Sequence, residues 1–191
     1  AGYSLIYQNL IWKESDTKMP DSYFLGIDGG TESARVGIFE PDGTQVIFTR
    51  SEYETNFPKS GYAEQKPEDW WSSLSEAVRE AIDQSDVAPE EIGGIGYDTT
   101  SCTVVFMDNE MQSLRSSMIW MDVRATDQAR RIGKTGHDAL KYNGYGNVSA
   151  EWMPCKALWV KENQPEIYEQ SEHICEYTDF LTHRLTGEFT A

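Results

Sequence analysis

Three stretches near the start of the chain, residues 23–28, 33–40 and 45–51, run apolar or alternate apolar with polar over strand length. Pro41-Asp42-Gly43-Thr44 separates the second from the third and reads as a turn, since all four residue types favour tight reversals. Together the three predict an antiparallel start to a sheet. A polar loop over residues 52–66 comes next. Pro67-Glu68-Asp69 then opens a helix reaching about Gln84: Pro suits the first helical turn, and acids there complement the helix dipole. Trp70, Leu74, Ala77, Val78 and Ala81 recur at helical spacing and mark the core-facing side of that helix.

Farther along, residues 92–97 and 103–107 have strand character, and residues 117–121 form a short buried run. Helical patterns cover residues 125–132, 153–162 and 177–185, the last stopped by Gly187. Strands first, then helices mixed with strands, predict an α/β layer architecture. The chain has no internal repeat and no low-complexity tract.

Composition narrows the function classes. With 191 residues the chain is one ordinary domain or most of one. A formal charge of -16 argues against a nucleic-acid surface, which needs clustered Lys and Arg, but leaves room for an anionic substrate held by a few local donors. No apolar run reaches membrane-spanning length, so no membrane partner is expected. Residues 1–20 carry Leu5-Ile6-Tyr7 and Leu10-Ile11-Trp12 but neither a basic start nor a small-residue cleavage site. Met19-Pro20-Asp21 makes a sensible native start, and residues 1–20 are expected to be a non-native or disordered extension. Cys102, Cys155 and Cys175 are odd in number and widely spaced, which gives neither a disulfide framework nor a metal spacing and suggests a reducing cytoplasm.

The stretch richest in chemistry is Tyr23 to Phe39, an apolar run that meets Asp28, turns through Gly29-Gly30-Thr31 and leaves as a second apolar run. The glycines can supply the positive φ of a hairpin turn, whose N–H groups cradle phosphate oxygens with the Thr31 and Ser33 hydroxyls beside them. Asp28 is placed to hold a magnesium ion through its water shell, and Arg35 adds fixed positive charge. Against this, Gly-Gly-Thr turns close many ordinary hairpins, an Asp before a turn often only caps it, and Arg35 equally suits a strand residue paired with an acid. Neither a G-x-x-x-x-G-K-[ST] loop nor a G-x-G-x-x-G helix opening is present.

The order of segments resembles the N-terminal domain of the FGGY carbohydrate kinases, within the actin, hexokinase and Hsp70 superfamily. Five pieces carry the resemblance in order: Asp28 to Arg35; Phe57 to Gln65 with Pro67 and Trp70 behind it; Ile119 to Arg124; Glu151 to Trp159; and Tyr177 to Gly187. Gly96-Tyr97-Asp98-Thr99-Thr100-Ser101-Cys102-Thr103 and Ser149-Ala150-Glu151-Trp152 resemble ribulokinases and related ketopentose kinases.

That resemblance implies a ribonuclease H-like or actin-like α/β domain with a mixed sheet, incomplete at its C-terminal end, spanning residues 21–191. It implies ATP- and Mg2+-dependent phosphorylation of a small-molecule sugar, a ketopentose such as ribulose, with xylulose, glycerol or a polyol as alternatives and an inert scaffold of the same fold as another. Gly30, Thr31, Glu32, Ser33 and Arg35 would hold the ATP phosphates, and Asp28 the magnesium. Asp98, Ser101, Cys102, Trp120, Asp122, Arg124 and Glu151 would bind the sugar. Trp120 and Trp152 equally suit a core, Asp122 a helix cap, and Cys102 a small pocket wall with no basic partner near it in sequence. The three histidines read as structural or solvated. The general-base Asp and the nucleotide domain are expected beyond Ala191, so the piece alone is expected to be inactive. It is also expected to expose sheet edges and apolar surface that favour homo-oligomers.

Overall fold

The computed structural model describes residues 22–143 and 146–189; the extension expected at residues 1–20 lies outside them. Strands β1 (Tyr23–Gly29), β2 (Ser33–Phe39) and β3 (Gln45–Glu52) form the expected antiparallel meander. A two-residue strand, β4 (Glu64–Gln65), precedes helix α1 (Pro67–Gln84), whose bounds are those read from the sequence. The chain returns as β5 (Ile92–Thr99), which pairs parallel with β1 and gives the order β3-β2-β1-β5. A parallel return needs a long crossover, and α1 supplies it.

Next come β6 (Val104–Met107), β7 (Ser117–Met118), α2 (Thr126–Gly133) and α3 (Met153–Asn163). Helix α4 (Pro165–Gln170), strand β8 (His173–Glu176) and helix α5 (Tyr177–Thr186) complete the described chain. The short strands build a second sheet in the order β4-β7-β6-β8, antiparallel throughout. The first sheet is the mixed sheet with three antiparallel leading strands that the resemblance implies, and the second, also four-stranded, is antiparallel. Strands β4 and β8 and helix α4 escaped the sequence reading because two to six residues carry no measurable period.

Helix α1 lies on β2 and β3, burying Trp70, Leu74, Ala77 and Ala81 against Leu25, Ile27, Val36 and Ile38. Each large apolar side chain so buried stabilises the fold by roughly 1.5–3 kcal/mol. Tyr177 at the start of α5 stacks on Trp70 with ring centroids 4.0 Å apart, which brings α5 into the same core. Gly187, at φ +76°, ends α5 in the left-handed conformation that glycine takes without steric cost. Val104, Phe106, Met118 and Val160 join the second sheet to α3 and α4. The opposite face of the first sheet exposes Phe24 and Phe48, and Ile95 is exposed on edge strand β5. Among the described residues no helix is long and apolar enough to cross a membrane.

Candidate functional site

The β1–β2 hairpin closes with the Gly30 N–H donating to the Ser33 carbonyl at 3.1 Å. Neither Gly29 nor Gly30 adopts the positive φ expected of them; among the described residues the positive-φ glycines are Gly43, Gly61, Gly136 and Gly187. Gly29 is needed for a different reason. A Cβ there would lie 2.8 Å from the Tyr177 ring, so the strand end rests directly on that aromatic face.

The turn's carbonyls are held from below. The Tyr53 hydroxyl donates to the Gly30 carbonyl at 2.5 Å, and Gln65 Nε2 donates to the Thr31 carbonyl at 2.6 Å. Trp70 Nε1 donates to Gln65 Oε1 at 2.9 Å and fixes the amide's orientation. Burial pushes the Tyr53 hydroxyl up to about 12, so it remains a donor at physiological pH. With those carbonyls turned inward, the Thr31 and Glu32 N–H groups find no acceptor among the described residues. Two free amides in a turn are the elements of an anion cradle.

Asp28 and Arg35 are register partners across β1 and β2, and Arg35 Nη1 donates to Asp28 Oδ2 at 2.6 Å. Both side chains are about half exposed, so the pair contributes little to stability and leaves one carboxylate oxygen and the remaining guanidinium donors accessible. Among the described residues no three ligating side chains cluster as a metal cage. Asp28 instead fits a hard cation ligated mainly by water and phosphate oxygens.

Beside the hairpin is an opening of about 360 Å³ lined by Thr31, Thr100, Ser101, Cys102, Trp120 and Glu151. Four separate chain segments meet there: the hairpin, the β5–β6 loop, the turn at Trp120 and the segment carrying Glu151. The β5–β6 loop is tied to the hairpin by the Thr100 N–H, which donates to the Gly29 carbonyl at 3.0 Å, and to β8 by the Thr103 N–H, which donates to Glu176 Oε2 at 3.0 Å. The run expected over residues 117–121 is a strand only at its start; the Asp122 N–H then donates to the Ile119 carbonyl at 2.8 Å, and this turn puts Trp120 on the surface, 41% exposed. Trp120 Nε1 donates to Thr31 Oγ1 at 3.1 Å, so hairpin and opening share a residue. Glu151 arrives just ahead of α3. A polar rim around an exposed indole face suits a small polyhydroxylated molecule. A larger concavity of about 660 Å³ also borders the hairpin, lined by Thr31, Glu32, Ser33, Arg35 and Tyr53 among others, but it takes in none of Ser101, Cys102, Trp120 and Glu151; one of about 590 Å³ between α2 and Val148 does not touch the hairpin.

Other expected site residues sit apart from the opening. Asp122 and Arg124 are sealed behind it: Arg124 Nη2 donates to Asp122 Oδ2 at 2.6 Å and to Glu64 Oε1 at 2.7 Å, while Asp122 also accepts the Ala63 N–H at 2.8 Å. Asp122 does not cap α2 either; that position is Ala125. The Arg124 guanidinium lies 3.7 Å from the Tyr62 ring centroid, and Arg115 also reaches Glu64, at 2.5 Å. Asp98 is the register partner of Asp28 on β5 and lies beside the Asp28–Arg35 pair, away from Ser101 and Cys102. Ser33 is buried, and Glu32 is exposed with only its backbone facing the turn.

Burial, and secondarily Glu176, raises the Cys102 thiol, which suits a pocket wall and opposes a nucleophile. Cys155 and Cys175 are buried packing residues whose thiols burial pushes up to about 11 and about 12. The sequence reading missed Tyr53, Gln65 and Lys156. The visible sign of the last was its place four residues before buried Val160, on the inward face of α3.

The sequence profile of the N-terminal domain of the FGGY family of carbohydrate kinases matches residues 23–191. An FGGY carbohydrate kinase domain-containing protein of Xenopus laevis is 34% identical over 183 residues, covering 91% of this chain and 32% of the relative. Ribulokinase 1 of Staphylococcus saprophyticus is 34% identical over 195 residues, covering 87% of this chain and 36% of the relative. Among solved structures, a xylulose kinase from Rhodospirillum rubrum superposes with a TM-score of 0.80 at 22% identity, covering 88% of this chain and 35% of that one. The fold is thus that of the FGGY kinases, which have the actin-like ATPase architecture. The chain spans about a third of the length of the relatives it matches.

Proposed function

The chain belongs to the FGGY family of carbohydrate kinases, and from that premise we propose that it is the N-terminal part of an ATP-dependent kinase acting on a ketopentose. The observation that carries the reading is Thr31, whose backbone belongs to the phosphate-competent hairpin and whose hydroxyl belongs to the polar opening. A phosphoryl donor and a sugar acceptor placed on these two surfaces would meet at that residue.

In this reading the Thr31 and Glu32 amides receive phosphate oxygens and Arg35 neutralises charge on them. Asp28 would hold a magnesium ion, which would supply the remaining countercharge. Trp120 packs on the carbon chain of the sugar, Ser101 and Glu151 bind hydroxyls, and Cys102 forms a small wall. Asp122 and Arg124 act from behind by fixing the turn that presents Trp120. The sugar hydroxyl oxygen bonds the γ-phosphorus, the bond to the β–γ bridging oxygen breaks, and ADP leaves. The hydroxyl proton passes to an Asp in the portion of the parent beyond residue 191. Catalysis of this kind is mostly positioning plus electrostatic stabilisation, and that is what these residues are built to supply.

The ketopentose choice is supported by the run Gly96 to Thr103 and by Ser149-Ala150-Glu151-Trp152, which resemble the corresponding segments of ribulokinases. Three unpaired cysteines support a reducing compartment. The test is coupled detection of ADP from the full-length parent with ribulose, xylulose, glycerol and polyols. Highest kcat/KM on ribulose is expected. A preference for glycerol would overturn the substrate class, and absence of ADP with every acceptor would overturn the kinase reading itself.

A further inference from the structure

Lys156 is a fully buried lysine in the first turns of α3, and it makes no ion pair within 4.0 Å among the described residues. Its ammonium instead donates to three backbone carbonyls: Cys102 at 2.6 Å, Ile119 at 2.8 Å and Met118 at 3.2 Å. The three N–H donors of an ammonium are thereby used in full. Burying a charge with no adjacent carboxylate is costly, so its place calls for an explanation other than stability.

The identity of the three carbonyls supplies one. Cys102 belongs to the β5–β6 loop that carries Ser101 into the opening. Met118 and Ile119 end β7 and lead into Trp120. Lys156 itself follows Glu151 by five residues, on the segment that brings Glu151 in. Two walls of the opening therefore meet at one nitrogen, which is carried on the segment of a third. Cys102 also has φ +57°, a conformation that non-glycine residues adopt at a cost, and its carbonyl makes the shortest of the three bonds.

We propose that Lys156 is a positioning residue for sugar binding, its ammonium gathering the Ser101–Cys102 loop, the Trp120 turn and the Glu151 segment into one pocket. This rests on the reading of the opening as the sugar site. The charged and titratable groups facing the ammonium are Asp122 behind the Trp120 turn, Cys102 in the loop, Glu176 at the end of β8 and Glu151 on its own segment. Burial lowers the lysine to about 8, whereas burial raises the Cys102 thiol, so the lysine loses its proton before the thiol does. A neutral amine has two donors and a lone pair facing three carbonyl oxygens, so at least one of the three bonds is lost and the hold on the Cys102 loop or the Trp120 turn weakens.

The experiment compares the full-length parent with its Lys156→Met variant between pH 7 and pH 9.5. It measures KM for sugar, KM for ATP and the rate of Cys102 alkylation by N-ethylmaleimide with and without saturating sugar. Cys102 suits this probe because Cys155 and Cys175 are buried. At pH 7 the variant is expected to raise the sugar KM by about tenfold or more, the scale of a lost charge-assisted hydrogen bond, with the ATP KM within about twofold. Cys102 alkylation should accelerate in the variant. In the wild type the sugar KM should climb above pH 8, and that climb should be absent from the variant.

An unchanged sugar KM in Lys156→Met, or an equal rise in both KM values, would overturn the assignment. Should the variant not fold, the wild-type profile decides: a sugar KM that stays flat to pH 9.5 also overturns it. Failure of sugar to protect wild-type Cys102 from alkylation would instead count against the sugar site itself, and so separates the two claims.

Discussion

The Trp120 indole N–H and the Thr31 hydroxyl are hydrogen-bonded at 3.1 Å across 89 residues of sequence. This contact joins the β1–β2 hairpin to the wall of the opening proposed to take the sugar, so Trp120→Phe separates two roles. The aromatic face remains while the donor is lost, at a net cost of about 0.5–1.5 kcal/mol for one neutral hydrogen bond. In the full-length parent, on the proposed kinase reading, the sugar KM is expected to rise about threefold to tenfold. Steady-state kinetics check this. A sugar KM equal to that of the wild type would mean the indole N–H does not orient the site.

Gly29 tests the support beneath the hairpin. A methyl group at this position would sit 2.8–2.9 Å from three atoms of the Tyr177 side chain, itself buried and stacked on Trp70. The ring has no room to withdraw, and overpacking of this kind costs about 1–3 kcal/mol. Gly29→Ala should lower the urea midpoint and displace the Gly30–Thr31 turn, weakening ATP more than sugar. A midpoint unchanged from wild type would show that Tyr177 can shift.

The sealed pair behind Trp120 should act through stability. Asp122→Ala removes one carboxylate partner of buried Arg124, and the Ala63 N–H loses its acceptor as well. Breaking a buried pair from one side costs about 3–5 kcal/mol, here moderated because Glu64 still reaches Arg124. Chemical denaturation of wild type, Asp122→Asn and Asp122→Ala should rank them in that order. If Asp122 bound sugar directly, the Asn variant would instead lose sugar affinity with little change in stability.

Lys156 predicts opposite responses of stability and binding to alkali. Its value of about 8 in the folded chain lies below the ordinary 10.5, so between the two the unfolded chain holds a proton that the folded chain has released. Stability contributed by this group therefore rises with pH over that window, by on the order of 1–3 kcal/mol, and is absent below pH 8. Other groups titrate there too, so the quantity to measure is the difference in unfolding free energy between wild type and Lys156→Met at pH 7.5 and pH 10. A difference that does not grow in favour of the wild type would contradict this assignment of the lysine.

The strand–turn–strand unit and α1 were legible because each depends on local pattern. Alternation from Tyr23 to Phe39 and helical spacing from Trp70 to Ala81 report burial of one face whatever packs against it. The second sheet was not legible: its strands are two to four residues long, and their pairing joins Glu64 with Met118 and Phe106 with Ile174, partners far apart in sequence. Ser101, Cys102, Trp120 and Glu151, read from their motifs as sugar residues, line one opening together with Thr31, read as a phosphate residue. Asp122 and Arg124 belong to the same motif as Trp120 yet point the other way, because the turn at Ile119–Asp122 reverses the chain between them.

Residue order alone settles the hairpin and the family, because these rest on neighbours within a few residues or on motifs kept in line. Whether Gly29 serves a turn or an aromatic ring, which carboxylates face outward, and why a lysine lies buried in α3 depend on contacts between distant segments. Those contacts arise only when the chain has closed on itself, since desolvation and hydrogen-bond geometry act through space and not along the backbone.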